Sequence, residues 1–292
     1  MSTEEKPPNL ATYERVIRPK RGLVAVDFRE LWLYRELFGF LAYRDILIRY
    51  KQTYLGVAWA VMQPVLTMVV FTVVFGRMAG FSERFHVSAE VYAVLTLSGL
   101  VPWLFFANAM STSSQSLVAS SNMISKIYFP RLIIPASTVL SGLVDFAIAL
   151  MILFGMMLFF GVPFTATLVL LPVFALVAAL AAFAVGLWLS ALNVKYRDVK
   201  YVVPFLVQMG LYASPVGFPS SLVREKFGDT VAFFYSLNPM VGVIDGFRWC
   251  VLGKDYEPYW PGFGLSLAVI AVLLATGAIY FRTAEKTFAD VI

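Results

Sequence analysis

From residue 55 to residue 76 the chain reads LGVAWAVMQPVLTMVVFTVVFG without one charged side chain. The hydrocarbon core of a bilayer is about 30 Å thick and takes about 20 apolar helical residues to cross. No water is available there to satisfy backbone amides, so a chain that crosses must do so as a helix or a closed barrel. The same kind of segment recurs at 91–110, 132–160, 166–192 and 260–281, with a shorter one interrupted by Pro204 at 202–217. Six spans are therefore expected, in one domain from 55 to 281. Composition agrees, because 60% of the residues are hydrophobic, 14% are charged and the mean hydropathy is +0.77, against about 25% charged residues in soluble domains. The expected fold class is an all-α integral membrane protein.

The segments around the spans carry the remaining expectations. Residues 1–27 form a polar leader with Pro7, Pro8 and Pro19, too poor in apolar groups to pack a core. No apolar run followed by a small-residue cleavage site marks a signal peptide there. At 28–54, aromatic and charged residues mix, and Arg29, Glu30, Glu36 and Arg44 fall on one helical sector, the pattern of an amphipathic helix lying in the membrane interface. Gly39 is its expected break. The second span runs at its far end into STSSQSLVASSN, whose small hydroxyl residues suit close helix packing or a hydrated path better than lipid. Between the fifth and sixth spans, at 218–259, the apolar stretches are too short to cross, which predicts half-helices that dip in and return on one side.

Charge gives an independent test of topology. The net charge of +5 would point to nucleic acid in a soluble chain, but here the basic residues sit at the ends of apolar runs. If the N-terminal region, the 120–131 loop, the 193–201 loop and the tail at 282–292 share a side, only Arg77, Arg84, Arg224, Lys226, Arg248 and Lys254 of the 23 Lys and Arg remain opposite. Basic residues favour the cytoplasmic side. Both termini are therefore expected in the cytoplasm, and six spans satisfy that.

Chemistry is conspicuous by what is missing. There is no G-x-x-x-x-G-K-[ST] phosphate loop, since Lys254 of the one Gly-Lys pair precedes Asp255, and no nucleophile elbow or zinc pair. One cysteine, Cys250, and one histidine, His86, supply neither a disulfide nor a histidine metal centre. No cofactor and no catalytic residue are expected. Asp145 is the one acid in the middle of a span. A carboxylate there costs about 2.5 to 3.5 kcal/mol on insertion scales, so it belongs either to a path or to a polar partner in the bundle. Among the aromatic residues near span ends and kinks, Trp59, Trp103, Phe106 and Tyr212 are the candidates for lining a path, with interfacial anchoring as the plainer role.

Four stretches then carry a resemblance: YRDILIRYKQTYLGVAWAVMQPVLTMVVFTVVFG at 43–76, SSNMISKIYFPRLIIPAS at 120–137, ALNVKYRDVKYVVPFLVQMGLYASPVGFP at 191–219 and SLNPMVGVIDGFRWCVLG at 236–253. In this order, and over nearly everything after residue 28, the chain resembles the permease subunit of ABC transporters that export lipid-linked polysaccharides such as O-antigen, capsule or teichoic acid. The resemblance implies a homodimer of two six-span halves, two copies of a separate ATPase subunit, and an undecaprenyl-type lipid-linked polymer, O-antigen first, as cargo in the cytoplasmic membrane. It also implies that short helices at 121–131 and 193–201 couple to the ATPase. Lys126, Tyr128, Arg131, Lys195, Tyr196, Arg197, Asp198 and Lys200 fall in those segments. An intramembrane glycosyl- or acyltransferase, or a drug or lipid exporter of the same superfamily, stand as the alternatives. The former needs a gathering of acids or a histidine that the chain does not present.

Overall fold

The computed structural model describes residues 28–51, 54–84, 87–286 and 288. The polar leader, His86 and most of the tail beyond Lys286 lie outside the described residues. Among the described residues there is no strand, and the helices are α1 (Phe28–Leu33), α2 (Arg35–Tyr50), α3 (Tyr54–Phe71), α4 (Phe81–Arg84), α5 (Ala89–Ala119), α6 (Ser121–Ile124), α7 (Ile133–Phe159), α8 (Leu171–Lys195), α9 (Val199–Ala213), α10 (Ser221–Tyr235), α11 (Pro239–Leu252) and α12 (Trp260–Glu285). Five helical stretches are long and apolar enough to cross a membrane: Ala58–Met78, Ala89–Ala119, Ile133–Phe159, Ala166–Lys195 and Trp260–Glu285. The first continues through Pro64 and changes to π-helix over Thr72–Met78.

α5 is the axis of the bundle. It contacts α7, α8, α3, α9 and α11, and its apolar residues from Tyr92 to Met110 are almost all buried. Its start is fixed by Ser88, whose Oγ accepts from the Val91 amide at 3.3 Å, the usual satisfaction of a free N-terminal donor. The second span is expected to end near residue 110, but the helix continues through the hydroxyl-rich run to Ala119. Those side chains do not break it because many bond back to carbonyls of their own helix, as Ser114 does to Ser111 and Ser116 to Ser113, both at 2.7 Å. The inward side of the run packs closely. A Cβ at Gly186 of α8 would lie 2.5 Å from Ser113 Oγ, and Asn193 Nδ2 donates to the Ser114 carbonyl at 2.9 Å.

The N-terminal helices break at Tyr34, with φ −98° and ψ 19°, and not at Gly39, which sits in unbroken helix. They dock on a second core at one end of the bundle, where Leu31, Leu37 and Leu41 meet Leu117, Ile133, Ile134, Val194 and Phe281. Trp32, Leu33, Phe40, Tyr43 and Ile48 face outward and are exposed.

The expected fifth span corresponds to α9, an apolar helix of 15 residues, about 22 Å long at 1.5 Å per residue. Irregular backbone follows, and Arg248 of α11 satisfies it. Its guanidinium donates to the carbonyls of Phe218 (2.7 Å), Val216 (2.5 Å) and Leu95 of α5 (3.3 Å), while Tyr92 OH donates to the Gly217 carbonyl. Arg248 is 0% exposed, so counting it as a charge on the outer membrane surface is corrected. Beyond α9 come two short helices as expected, α10, interrupted at Gly228 (φ 83°), and the deeply buried α11. Asn238 caps α11 by accepting from the Met240 amide at 3.0 Å.

Candidate functional site

Two stripes of side chains face each other along the bundle. On α5 they are Val101, Leu104, Phe105, Asn108, Ser111, Thr112, Gln115, Ser116 and Ala119; on α7, Ile134, Thr138, Ser141, Asp145, Phe146 and Ala149. Their spacing of three and four residues puts each set on one helical face. Between them lie two cavities. One, of about 340 Å³, is closed by Trp59, Ala60, Gln63 and Pro64 of α3. The other, of about 470 Å³, is closed by Arg44, Asp45, Ile48 and Arg49 of α2. Arg49 lines both.

Both cavities combine carbon walls with polar groups. Gln63, Asn108, Arg49 and Asp145 come to the α3 cavity, and six Ser and Thr side chains with Gln115, Arg44, Asp45 and Arg49 come to the α2 cavity. At the junction, Asp145 accepts from both the Arg49 guanidinium and the Tyr50 hydroxyl. The carboxylate at mid-helix therefore has polar partners, which is the plainer of its two expected roles, and it also lines a cavity. Both ends of the pair keep some access to solvent, with 34% of the Arg49 side chain and 19% of the Asp145 side chain exposed. Arg49 and Tyr50 are partners of Asp145 that the sequence reading missed. The only signal was the dense aromatic and basic end of the interface helix.

A second polar cluster was also missed. Asp245, 3% exposed, accepts from Tyr256 OH at 2.6 Å and from Ser220 Oγ. Burial first, and then the Asp245 charge, push the Tyr256 phenol up, so this hydroxyl acts as a donor. Together with Arg248, three residues along α11, these groups hold the irregular connection before α10 and the segment after α11.

The expected coupling residues gather at one end, where α5, α8 and α12 finish and α7 and α9 begin. Their segments are not the rigid helices anticipated. Helix at 121–131 amounts to the single turn of α6, because Pro130 denies the chain a continuous run. The 193–201 segment is a corner, with Tyr196 extended (φ −127°, ψ 97°) between α8 and α9. Lys126 and Tyr128 are exposed, and Tyr128 OH reaches Glu30 of α1 at 3.4 Å. Arg131 is turned inward as a staple: its amide donates to Glu285 Oε1 at 3.3 Å, its guanidinium to the Glu285 carbonyl, and it lies over the Phe288 ring at 5.8 Å. At the corner, Lys195 lies over Tyr196 at 5.2 Å and Lys200 over Tyr201 at 4.8 Å. Arg197 and Asp198 project beside them, exposed.

The four aromatic candidates are divided. Trp59 lines the α3 cavity and is 59% exposed. Tyr212 is on the outer face of α9, stacked on Phe71 with centroids 6.3 Å apart. Trp103 and Phe106 are core residues, 5.6 Å apart. Trp103 covers Gly210 of α9 so closely that a Cβ there would come within 2.5 Å of the ring.

Comparison with known proteins gives this arrangement its family. The O-antigen export system permease protein RfbA of Myxococcus xanthus is 26% identical over 262 residues, covering 90% of this chain and 97% of the relative. Two proteins of the same name from Klebsiella pneumoniae are 25% identical, covering 86% of this chain and 94% of the relative, and 26% identical, covering 88% and 95%. Residues 36–252, which hold nearly all of α2, the groove, the Asp145 cluster, Ser220, Asp245 and Arg248 of the second cluster, and both loops, match the family described as ABC-2 type transporter, and the chain belongs to that family.

Proposed function

We propose that this chain is the membrane half of an exporter for lipid-linked polysaccharide, O-antigen in the first instance, and that a separate ATPase subunit drives it. The observation that carries this reading is the mixed lining of the α5–α7 groove. A polymer on a lipid carrier needs an apolar wall for its lipid and hydroxyl and amide partners for its sugars, and both cavities set such partners in carbon walls, Gln63 and Asn108 in one and six Ser and Thr with Gln115 in the other. Sugars are oriented by a few such polar groups in an otherwise apolar pocket. The names of the relatives point to the same cargo. On this reading the chain is a permease and not an enzyme, as the lack of any nucleotide or nucleophile motif also argues.

Six crossings place both termini in the cytoplasm. α9 is too short alone for a hydrocarbon core of about 30 Å, but the crossing is completed by backbone at 214–219 whose carbonyls at 216–218 are satisfied by Arg248 and Tyr92. Non-helical backbone is tolerated at membrane depth where protein buries it in this way. α1 and α2 then lie in the cytoplasmic interface with Trp32, Phe40, Tyr43 and Ile48 toward lipid, and α10 and α11 are the re-entrant pair on the opposite side. Two copies of the chain pair around the path in the cytoplasmic membrane, and two ATPase copies press on 121–131 and 193–201.

A test fills the groove. Thr112→Trp places an indole in the hydroxyl-lined cavity, and surface polysaccharide is then measured in cells that depend on this chain. Export should fall at least tenfold while the ATPase still co-purifies with the variant. Full export with the groove filled would contradict the assignment.

A further inference from the structure

At the opposite end of the bundle from the coupling loops is a cavity that the groove does not account for. It has a volume of about 340 Å³ and opens where α5 and α12 begin and α10 folds back. Tyr235, Tyr256 and Tyr259 line it, with Ser220, Arg224 and Glu257. Three aromatic rings around a small polar cavity are an unusual set for a purely structural void, which is ordinarily apolar.

The bonding of these groups is uneven. Tyr256 OH and Ser220 Oγ are committed to Asp245 in the floor. Arg224 is paired with Asp229 and lies 5.4 Å from the centre of the Tyr259 ring. The Tyr235 hydroxyl is buried with no hydrogen-bond partner in the protein. Native structures leave few buried polar groups unsatisfied, and this one borders a space large enough for a ring. Arg224 is already neutralised by Asp229, and Glu257 is exposed and keeps its hydration, so the lining offers no free charge that selects an ion. The remaining chemistry is that of a neutral ring with one apolar face for a tyrosine and hydroxyls for Tyr235 and Glu257.

We propose that this cavity is a pyranose subsite, which receives one sugar unit of the cargo on the far side of the membrane. It rests on the polysaccharide reading above and adds a second contact point, distant from the groove. Arg224 covers one face of Tyr259, and the three tyrosine rings together supply the apolar wall for the sugar. The Tyr235 hydroxyl, which has no partner within the protein, supplies a hydrogen bond.

The test uses the full chain in lipid nanodiscs and saturation-transfer NMR with methyl pyranosides of hexoses, 6-deoxyhexoses and N-acetylhexosamines, and with glycerol as control. At least one pyranoside should receive saturation at its ring C–H protons, and glycerol none. Tyr259→Ala should abolish the transfer. Tyr235→Phe should weaken binding about 2- to 10-fold, the range of one neutral hydrogen bond, with the melting temperature unchanged or higher because the hydroxyl has no partner to lose. No transfer from any pyranoside, transfer to glycerol of equal strength, or transfer indifferent to both variants would overturn the site. A chain that exports polymer with its ATPase but binds no pyranoside removes the subsite alone. One that binds pyranosides at these tyrosines but never exports removes the export reading alone.

Discussion

Two carboxylates sit inside this bundle, and their surroundings differ in a way that separates structure from function. Asp245 lies in a closed network with Ser220 and Tyr256, next to an arginine, Arg248, that is entirely buried and directed at three backbone carbonyls. Asp145 is held by Arg49 and Tyr50, side chains from a helix docked on the outside of the bundle, at the junction of two cavities. Isolated charges in an apolar interior are costly unless paired or fully hydrogen-bonded. The first cluster meets that condition with backbone it could not release without exposing unsatisfied carbonyls. The second meets it with side chains that can separate. We propose that one arrangement rivets the fold and the other opens.

The sharpest way to break this contrast is to remove each arginine. Arg248→Met strands three carbonyls and leaves Asp245 beside no cation, and should cost about 3 to 5 kcal/mol, seen as loss of folded protein or a large drop in melting temperature in detergent. Arg248→Lys should recover only part of this, since one ammonium cannot copy a planar fork. At the other cluster the effect should be functional. Asp145→Asn should keep the fold within about 1 kcal/mol, and a double-mutant cycle with Arg49→Gln should give a coupling of about 1 to 2 kcal/mol, less than for a fully buried pair because both groups are part-exposed. Export by Asp145→Asn should nonetheless fall severalfold. A variant that melts like Arg248→Met would make Asp145 a second rivet.

Smaller effects are expected at the coupling end. Lys195→Glu with Arg197→Glu should leave melting unchanged, because both side chains are exposed, and should reduce the ATPase recovered with the chain several-fold. Unchanged association would take the corner at 193–201 out of the interface. Least of all, Tyr128→Phe loses one 3.4 Å bond to Glu30 and should alter stability by under about 0.5 kcal/mol.

The sequence shows the apolar helices because hydropathy is a local property. It shows less where local composition and tertiary context disagree. The hydroxyl run at 111–120 reads as a helix end because Ser and Thr are weak helix formers, yet packing against α8 keeps it helical. Asp145 stood out as one acid in an apolar run, but its partner Arg49 is 96 residues away and looked like an interfacial charge. Asp245 and Arg248 lie in a segment too short to cross, so nothing local marked them as buried, and only the irregular backbone they serve explains them. The coupling segments were visible as basic loops; that they are a turn and a corner depends on Pro130 and on where α8 stops.

The central claim is that the groove conducts cargo only when another protein moves the helices around it. Proteoliposomes carrying a fluorescent lipid-linked glycan measure this directly, with the chain alone and with its ATPase and ATP. Translocation should appear only with both proteins and ATP, and should fall severalfold with Asp145→Asn. Steady translocation by this chain alone would contradict the account.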